Sequence, residues 1–222
     1  METKKTPIYF VPGLAASPEI FEFLKFPEEF ELHFLEWLIP LSAKESLESY
    51  AKRMSDLVLE ENPVLIGVSF GGIMVQEMGK HLHPKKIIII SSIKSRNEMS
   101  KALKCIKKLK IYKLFPSKVI ENIEIFSFFA FGNTSKNRLK LYKKYFSVRN
   151  RTYLKWAIFQ VLHWQQTKPS ENILHIHGTA DAIFSFNSIG KCIPVKNGTH
   201  IMIINKAKTI SNIIIDSLKM LK

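Results

Sequence analysis

Nine residues constrain this chain more than any others: Val64-Leu65-Ile66-Gly67-Val68-Ser69-Phe70-Gly71-Gly72, an apolar run that passes through Gly-x-Ser-x-Gly into a helical pattern. Pro63 opens a run of β-formers, and Ile73, Met74, Val75, Glu77 and Met78 continue with helix-compatible apolar spacing. The pattern predicts a buried strand, a sharp turn with the serine at its tip, and a helix. Glycine is needed at 67 and 71 because a Cβ there would strike neighbouring backbone, and Gly72 lets the helix pack close to the sheet. Two readings stay open at this point: an exposed nucleophile, or a glycine-rich turn whose serine caps a helix.

The remainder of the chain supplies a sheet for that strand to join. Pro7 to Val11 reads as a short strand followed by the small residues Pro12 to Ser17, Glu19 to Lys25 as a short helix, and Phe30 to Trp37 as a second strand. Ala43 to Glu60 is amphipathic, with Leu47, Tyr50, Ala51, Met54, Leu57 and Val58 on one face and Glu45, Glu48, Lys52 and Glu60 left to solvent. The helix after the glycines runs to about His81. Four consecutive isoleucines in Lys86 to Ser91 mark a strand covered on both faces, hence a parallel sheet. Asn172 to His177 and Cys192 to Val195 are further strands, and Ile201 to Leu221 closes the chain as a helix. Alternating β and α elements predict an α/β, doubly wound, mostly parallel sheet.

That alternation stops between Ser92 and Lys168, where only helical patterns occur: Arg96 to Phe115, Ser117 to Phe131, Lys136 to Phe146 and Asn150 to Gln165. The division expected is a core of residues 1–92 and 169–222 with a helical lid, residues 93–168, inserted over the sheet. The net charge of +14 sits in this insert: from Lys94 to Lys155 there are 17 Lys and Arg against the acids Glu98, Glu121 and Glu124. The two cysteines, Cys105 and Cys192, form no C-x-x-C pair, which argues against a disulfide framework or structural zinc and suits small core residues. Pro12, Gly13 and Pro18 interrupt the first apolar run, and no stretch approaches bilayer length, so a soluble, cytoplasmic protein is expected.

A serine hydroxyl is a poor nucleophile at neutral pH unless a base lies within hydrogen-bond reach and an acid orients that base. In such a sheet the partners belong after later strands, acid first. Asp181, in His177-Gly178-Thr179-Ala180-Asp181, and His200, in Asn197-Gly198-Thr199-His200, stand in those places. The plain alternatives are a turn aspartate and a capping or surface histidine. Asp56 and Asp216, the other aspartates, fall on helices. His175 and His177 read as structural strand residues, His163 as a lid packing residue, and His33, His81 and His83 as surface or strand-end positions. Their scatter lacks metal-ligand spacing, so no metal is expected.

Together the Gly67 to Gly72, His177 to Asp181, Gly198 to His200 and Pro12 to Leu14 motifs resemble the α/β-hydrolase superfamily, over essentially the whole chain. The resemblance implies Ser69 as nucleophile, His200 as base, Asp181 as orienting acid, and the backbone N–H groups of Leu14 and Phe70 as oxyanion hole. It also implies acyl transfer to water through an acyl-enzyme, without a cofactor. Pro12 departs from the His that many relatives carry, and the sheet is minimal, since Pro7 to Val11 corresponds to what is usually the third strand.

Substrate identity is less legible. Phe126, Phe128, Phe129, Phe131, Trp156, Phe159 and Trp164 are candidates for an apolar acyl pocket, or simply pack the lid on the core. The lysines around Leu103, Ile106 and Leu109 suit docking of an acidic acyl carrier protein or a CoA phosphate, contact with anionic lipid, or a solvated face without a partner. Nucleic acid is disfavoured because basic charge without a recognisable module is nonspecific. The functions considered are therefore a carboxylic ester or thioester hydrolase, including a small methyl ester esterase, a non-catalytic binding module, and a peripheral membrane protein.

Overall fold

Strands β1 (Thr6–Val11), β2 (Phe30–Phe34), β3 (Val64–Val68), β4 (Lys86–Ile90), β5 (Ile173–Gly178) and β6 (Ile193–Val195) form one sheet. The structure is a computed structural model that describes residues 5–113, 143–170 and 172–220. The strand order is β2-β1-β3-β4-β5-β6, and every neighbouring pair is parallel. Parallel neighbours require crossovers that place helices on both faces, so the central strands lose contact with water altogether. All five residues of β3 are buried, as are the four isoleucines of β4. The chain winds outward from β1 to β2, then reverses through β3. The C-terminal ends of β1 and β3 therefore lie side by side at the switch point, where open α/β sheets form their crevice.

Helix α1 (Leu47–Ser55) starts where Ser46 Oγ accepts the Ser49 N–H at 3.1 Å, and it buries Leu47, Tyr50, Ala51 and Met54 as the periodicity required. It is shorter than expected, and Leu57 beyond its end is exposed. Glu45 was expected to face solvent. It is buried instead, because its carboxylate accepts the Leu41 N–H and pairs with Arg53 at 3.2 Å. Helix α2 (Phe70–Met78) is buried along its whole length. The segment expected as a helix after Glu19 is a single 3-10 turn, Pro18–Phe21. The last helix is two, α5 (Met202–Asn205) and α6 (Ala207–Lys219), because Lys206 leaves helical geometry at φ −123.

Between β4 and β5 the described residues are helical, in shorter pieces than the pattern suggested. Arg96–Glu98 is a 3-10 turn and α3 spans Lys101–Lys108, separated where the Ser100 Oγ caps a new helix start. Helix α4 (Arg151–His163) begins at Asn150, whose side chain accepts the Tyr153 N–H at 3.0 Å. The expected Ser117 to Phe131 helix and most of the Lys136 to Phe146 helix lie outside the described residues. Helix α4 docks on the core through Trp156 Nε1 and Gln160 Nε2, which both donate to the Glu45 carbonyl, at 2.8 and 3.0 Å. Cys105 is exposed on α3 and Cys192 is half-buried, so neither is the core residue expected. Among the described residues no helix is long and apolar enough to cross a membrane.

Candidate active site

The turn after β3 brings the Gly-x-Ser-x-Gly residues into the geometry their spacing implied. Ser69 has φ 54 and ψ −118, a conformation that L-residues rarely adopt and that surrounding structure must hold. The hold is visible on both sides. The Ser69 N–H donates to Ile90 O at 2.9 Å, and the Ser69 carbonyl accepts from Ser92 Oγ at 2.7 Å and from the Gly72 N–H at 2.9 Å. A Cβ at Gly67 would lie 2.2 Å from Gly71 O, and one at Gly71 would lie 2.2 Å from Val11 O. Only glycine permits the turn to close against itself and against the end of β1.

Two loops from the other half of the sheet complete the arrangement. Asp181 follows β5, and its Oδ1 accepts the Ile183 and Phe184 N–H groups at 2.9 and 3.0 Å, which fixes the carboxylate in its own turn. His200 follows β6. A Cβ at Gly178 would lie 2.2 Å from Gly198 O, so the two loops are in backbone contact. The His200 imidazole bridges the remaining groups: Nδ1 is 2.9 Å from Asp181 Oδ2, and Nε2 is 2.8 Å from Ser69 Oγ. Asp181 accepts only, so Nδ1 carries the proton and the Nε2 lone pair faces the serine hydroxyl. This is the polarity that proton removal from Ser69 requires. Burial works against the Asp181 charge, but the neighbouring His200, His177 and main-chain donors hold its carboxyl below the usual range.

The Pro12 to Ala16 loop after β1 passes directly over the serine, with a Cβ at Gly13 falling 3.5 Å from Ser69 Cβ. Among the described residues neither the Leu14 N–H nor the Phe70 N–H donates to another protein group. The loop is braced from outside by the Val148 N–H, which donates to Ala15 O at 3.1 Å, and by the Ser17 N–H, which donates to Tyr145 O at 2.9 Å.

The proposed pocket aromatics separate. Trp156 is buried with its ring centroid 6.1 Å from Phe70, beside the turn. Trp164 does not line this region: its indole N–H binds Glu77 Oε1 at 2.7 Å, two turns along α2 from Ser69 or about 12 Å by helical rise. Phe159 stacks on His163 at 4.0 Å and is 41% exposed. Phe128 and Phe129, with Phe126 and Phe131, lie outside the described residues. A cavity of about 620 Å³ lined by Asn62, His83, Ile87 and Ile173 opens at the opposite, N-terminal ends of the strands. Glu31, His33 and Glu60 gather three potential ligand atoms within 4.8 Å of one another, a grouping the spacing did not suggest because Glu60 arrives from a separate loop.

Three residues near the site have contacts or surroundings that the sequence reading did not assign. Trp37, expected at the end of a strand, lies beyond β2 and donates its indole N–H to Gly13 O at 3.0 Å. His177 lies 3.5 Å from Asp181 through Nε2, which also faces Phe184 O at 2.8 Å. Tyr153 is buried with its hydroxyl unpartnered among the described residues. The Trp37 contact spans 24 residues, for which local patterning carries no signal, whereas His177 and Asp181 are four residues apart across the turn at Gly178.

No protein-family model and no curated protein matches the sequence. Solved structures do. MenH from S. aureus is 15% identical at TM-score 0.72, the alignment covering 100% of this chain and 96% of that one. A thermophilic esterase from Thermogutta terrifontis is 15% identical at TM-score 0.69, covering 98% and 91%. ClbQ from the colibactin NRPS/PKS pathway is 13% identical at TM-score 0.60, covering 98% of each chain. Likeness of shape at such low identity speaks to architecture, and the architecture is that of the α/β-hydrolase fold.

Proposed function

We propose that this protein is a serine hydrolase that cleaves a carboxylic ester or thioester in two steps. The observation that supports this most directly is the continuous series Ser69 Oγ, His200 Nε2, His200 Nδ1 and Asp181 Oδ2, with separations of 2.8 and 2.9 Å across its two hydrogen bonds. Ser69 attacks the acyl carbonyl while His200 takes its proton. The developing oxyanion is met by the Leu14 and Phe70 N–H groups, and His200 then protonates the leaving group. Water, activated by the same imidazole, releases the acid from the acyl-enzyme. Residues 93–168 serve as the lid in this reading, with Trp156 packing α4 beside Phe70.

The fold hosts many chemistries, so the assignment stands on the site and not on the neighbours. Hydrolysis of p-nitrophenyl butyrate by the wild type, and its loss in Ser69→Ala, is the expected result. A Ser69→Ala protein as active as wild type overturns the reading.

A second reading concerns the leaving group. Helix α3 presents Lys101, Lys104 and Lys108 to solvent and has no acidic residue, which suits an acyl thioester carried on an acidic carrier protein.

A further inference from the structure

Trp37 touches both halves of the proposed oxyanion hole, and no other described side chain has this pair of contacts. Its indole N–H donates to the carbonyl of Gly13 at 3.0 Å, and its ring stacks on Phe70 with centroids 5.1 Å apart and planes 19° from parallel. The first contact has a fixed geometric consequence. The Gly13 carbonyl and the Leu14 N–H belong to the same peptide unit, no peptide in the described chain is cis, and in a trans peptide the C=O and N–H point in opposite directions. A donor that pins the carbonyl outward therefore turns the Leu14 N–H inward.

The neighbouring contacts support the same orientation. The Ala16 N–H donates to the second lone pair of Gly13 O at 3.0 Å, and Ala15 takes φ 64, so the loop bends back sharply just after the peptide in question. Without Trp37 that peptide would keep one acceptor bond and could rotate within the turn. The stacking on Phe70 places the same ring beside the residue that supplies the other N–H. Trp37 also packs on Tyr153 of α4, with centroids 5.4 Å apart.

We infer that Trp37 is a positioning residue that aims the Leu14 N–H at the oxyanion by binding the opposite end of the same peptide, while bracing Phe70. The inference rests on the serine hydrolase reading. It predicts that Trp37 acts on the transition state and not on the ground state, since a ground-state carbonyl carries little of the charge that an aimed donor stabilises.

The test replaces Trp37 by β-(3-benzothienyl)alanine, which keeps the bicyclic ring and its stacking but has sulfur in place of N–H, with Trp37→Phe as a genetically simpler second variant. Expected is a fall in kcat of about tenfold, below the 10²–10³-fold typical for deleting an oxyanion donor outright, with KM within about twofold. Affinity for a trifluoromethyl ketone, whose serine adduct carries an oxyanion, should fall in parallel with kcat. The Leu14 amide resonance in a ¹H–¹⁵N spectrum should move in the benzothienyl protein, a readout that needs no activity. An unmoved Leu14 amide, an unchanged kcat, or a raised KM at constant kcat each overturns the inference. Wild type with no Ser69-dependent turnover would instead overturn the hydrolase reading, and the amide resonance would still decide whether Trp37 orients the peptide.

Discussion

His175 Nε2 and His177 Nδ1 lie 3.0 Å apart within the sheet, both rings shut off from solvent. The proton arrangement follows from their surroundings. His177 Nε2 faces only acceptors, Phe184 O at 2.8 Å and Asp181 Oδ2 at 3.5 Å, so it carries the proton. A neutral His177 then offers a bare Nδ1 to the proton on His175 Nε2, while His175 Nδ1 makes no hydrogen bond of normal geometry and the Ser92 main chain interacts with the ring in the raising direction. Burial pushes His175 down to about 3, with His177 and Lys94 adding to it, and burial likewise lowers His177 against the pull of Asp181. The pair thus steadies the Asp181 turn while leaving the carboxylate its full negative charge.

These depressed values give the fold a defined acid sensitivity. The unfolded chain takes up protons on these histidines below about pH 6.5, while folded His175 resists until about pH 3, so stability present above 6.5 is lost as pH falls through that window. One such group costs about 1.4 kcal/mol per pH unit where only the unfolded state is protonated. Urea unfolding at pH 7 and pH 5 should show this loss in wild type and a smaller one in His175→Gln. Equal pH dependence in the two proteins would refute it.

Asp181 is expected to matter through tautomer control. Asp181→Asn presents an amide where His200 Nδ1–H needs an acceptor, and the imidazole then turns its proton toward Ser69. Turnover should fall by about 10⁴-fold with little change in substrate affinity. Single-turnover acylation measured against a chromogenic ester checks it; a loss below tenfold would remove Asp181 from the acid role.

Tyr153→Phe should stabilise the protein. The phenol is buried, with its ionisation pushed far up by that burial and by Tyr50; the Ala15 main chain opposes this without forming a hydrogen bond of normal geometry. Removing a buried hydroxyl that lacks an acceptor returns about 1 kcal/mol, or 2 to 4 °C in Tm for a chain of this size. Calorimetry that finds a lower Tm would show that the hydroxyl has a partner in solution.

Charge reversal on α3 separates the two substrate classes. Lys101, Lys104 and Lys108 changed together to Glu should raise KM for an acyl group presented on an acidic carrier protein by about tenfold or more, and leave p-nitrophenyl butyrate within about twofold. Equal effects on both substrates would eliminate docking through this face.

The sequence disclosed what depends on local chemistry. The Gly-x-Ser-x-Gly spacing and the four isoleucines of β4 are each legible within a few residues, and the turn and strand they predict are present, whereas the Ser46 cap went unread and α1 starts there and not at Ala43. The order of Ser69, Asp181 and His200 was legible because each follows a strand, and the sheet gathers strand ends at one edge. Element lengths were less so. The Ser100 cap starts α3 partway through the helix expected from Arg96 to Phe115, although the apolar spacing runs on, and Glu45 is buried because Arg53 and the Leu41 N–H compensate its charge, a pairing that helical periodicity alone does not encode. Trp37 acts through a contact set by tertiary closure, and the Glu77 partner of Trp164 could not be read from spacing, whereas His177 and Asp181 are near neighbours in the chain.

The two main-chain bonds from Tyr145 and Val148 to the loop after β1 bear on how this scaffold could be re-engineered. An exchange of helical caps between relatives normally treats the cap as a detachable module. Here residues 145–148 form part of the wall behind the glycine peptide, so a transplanted cap must bring an equivalent stretch of backbone with it. A graft that rejoins the chain upstream of Tyr145 keeps that wall, and one that runs past Val148 has to rebuild it.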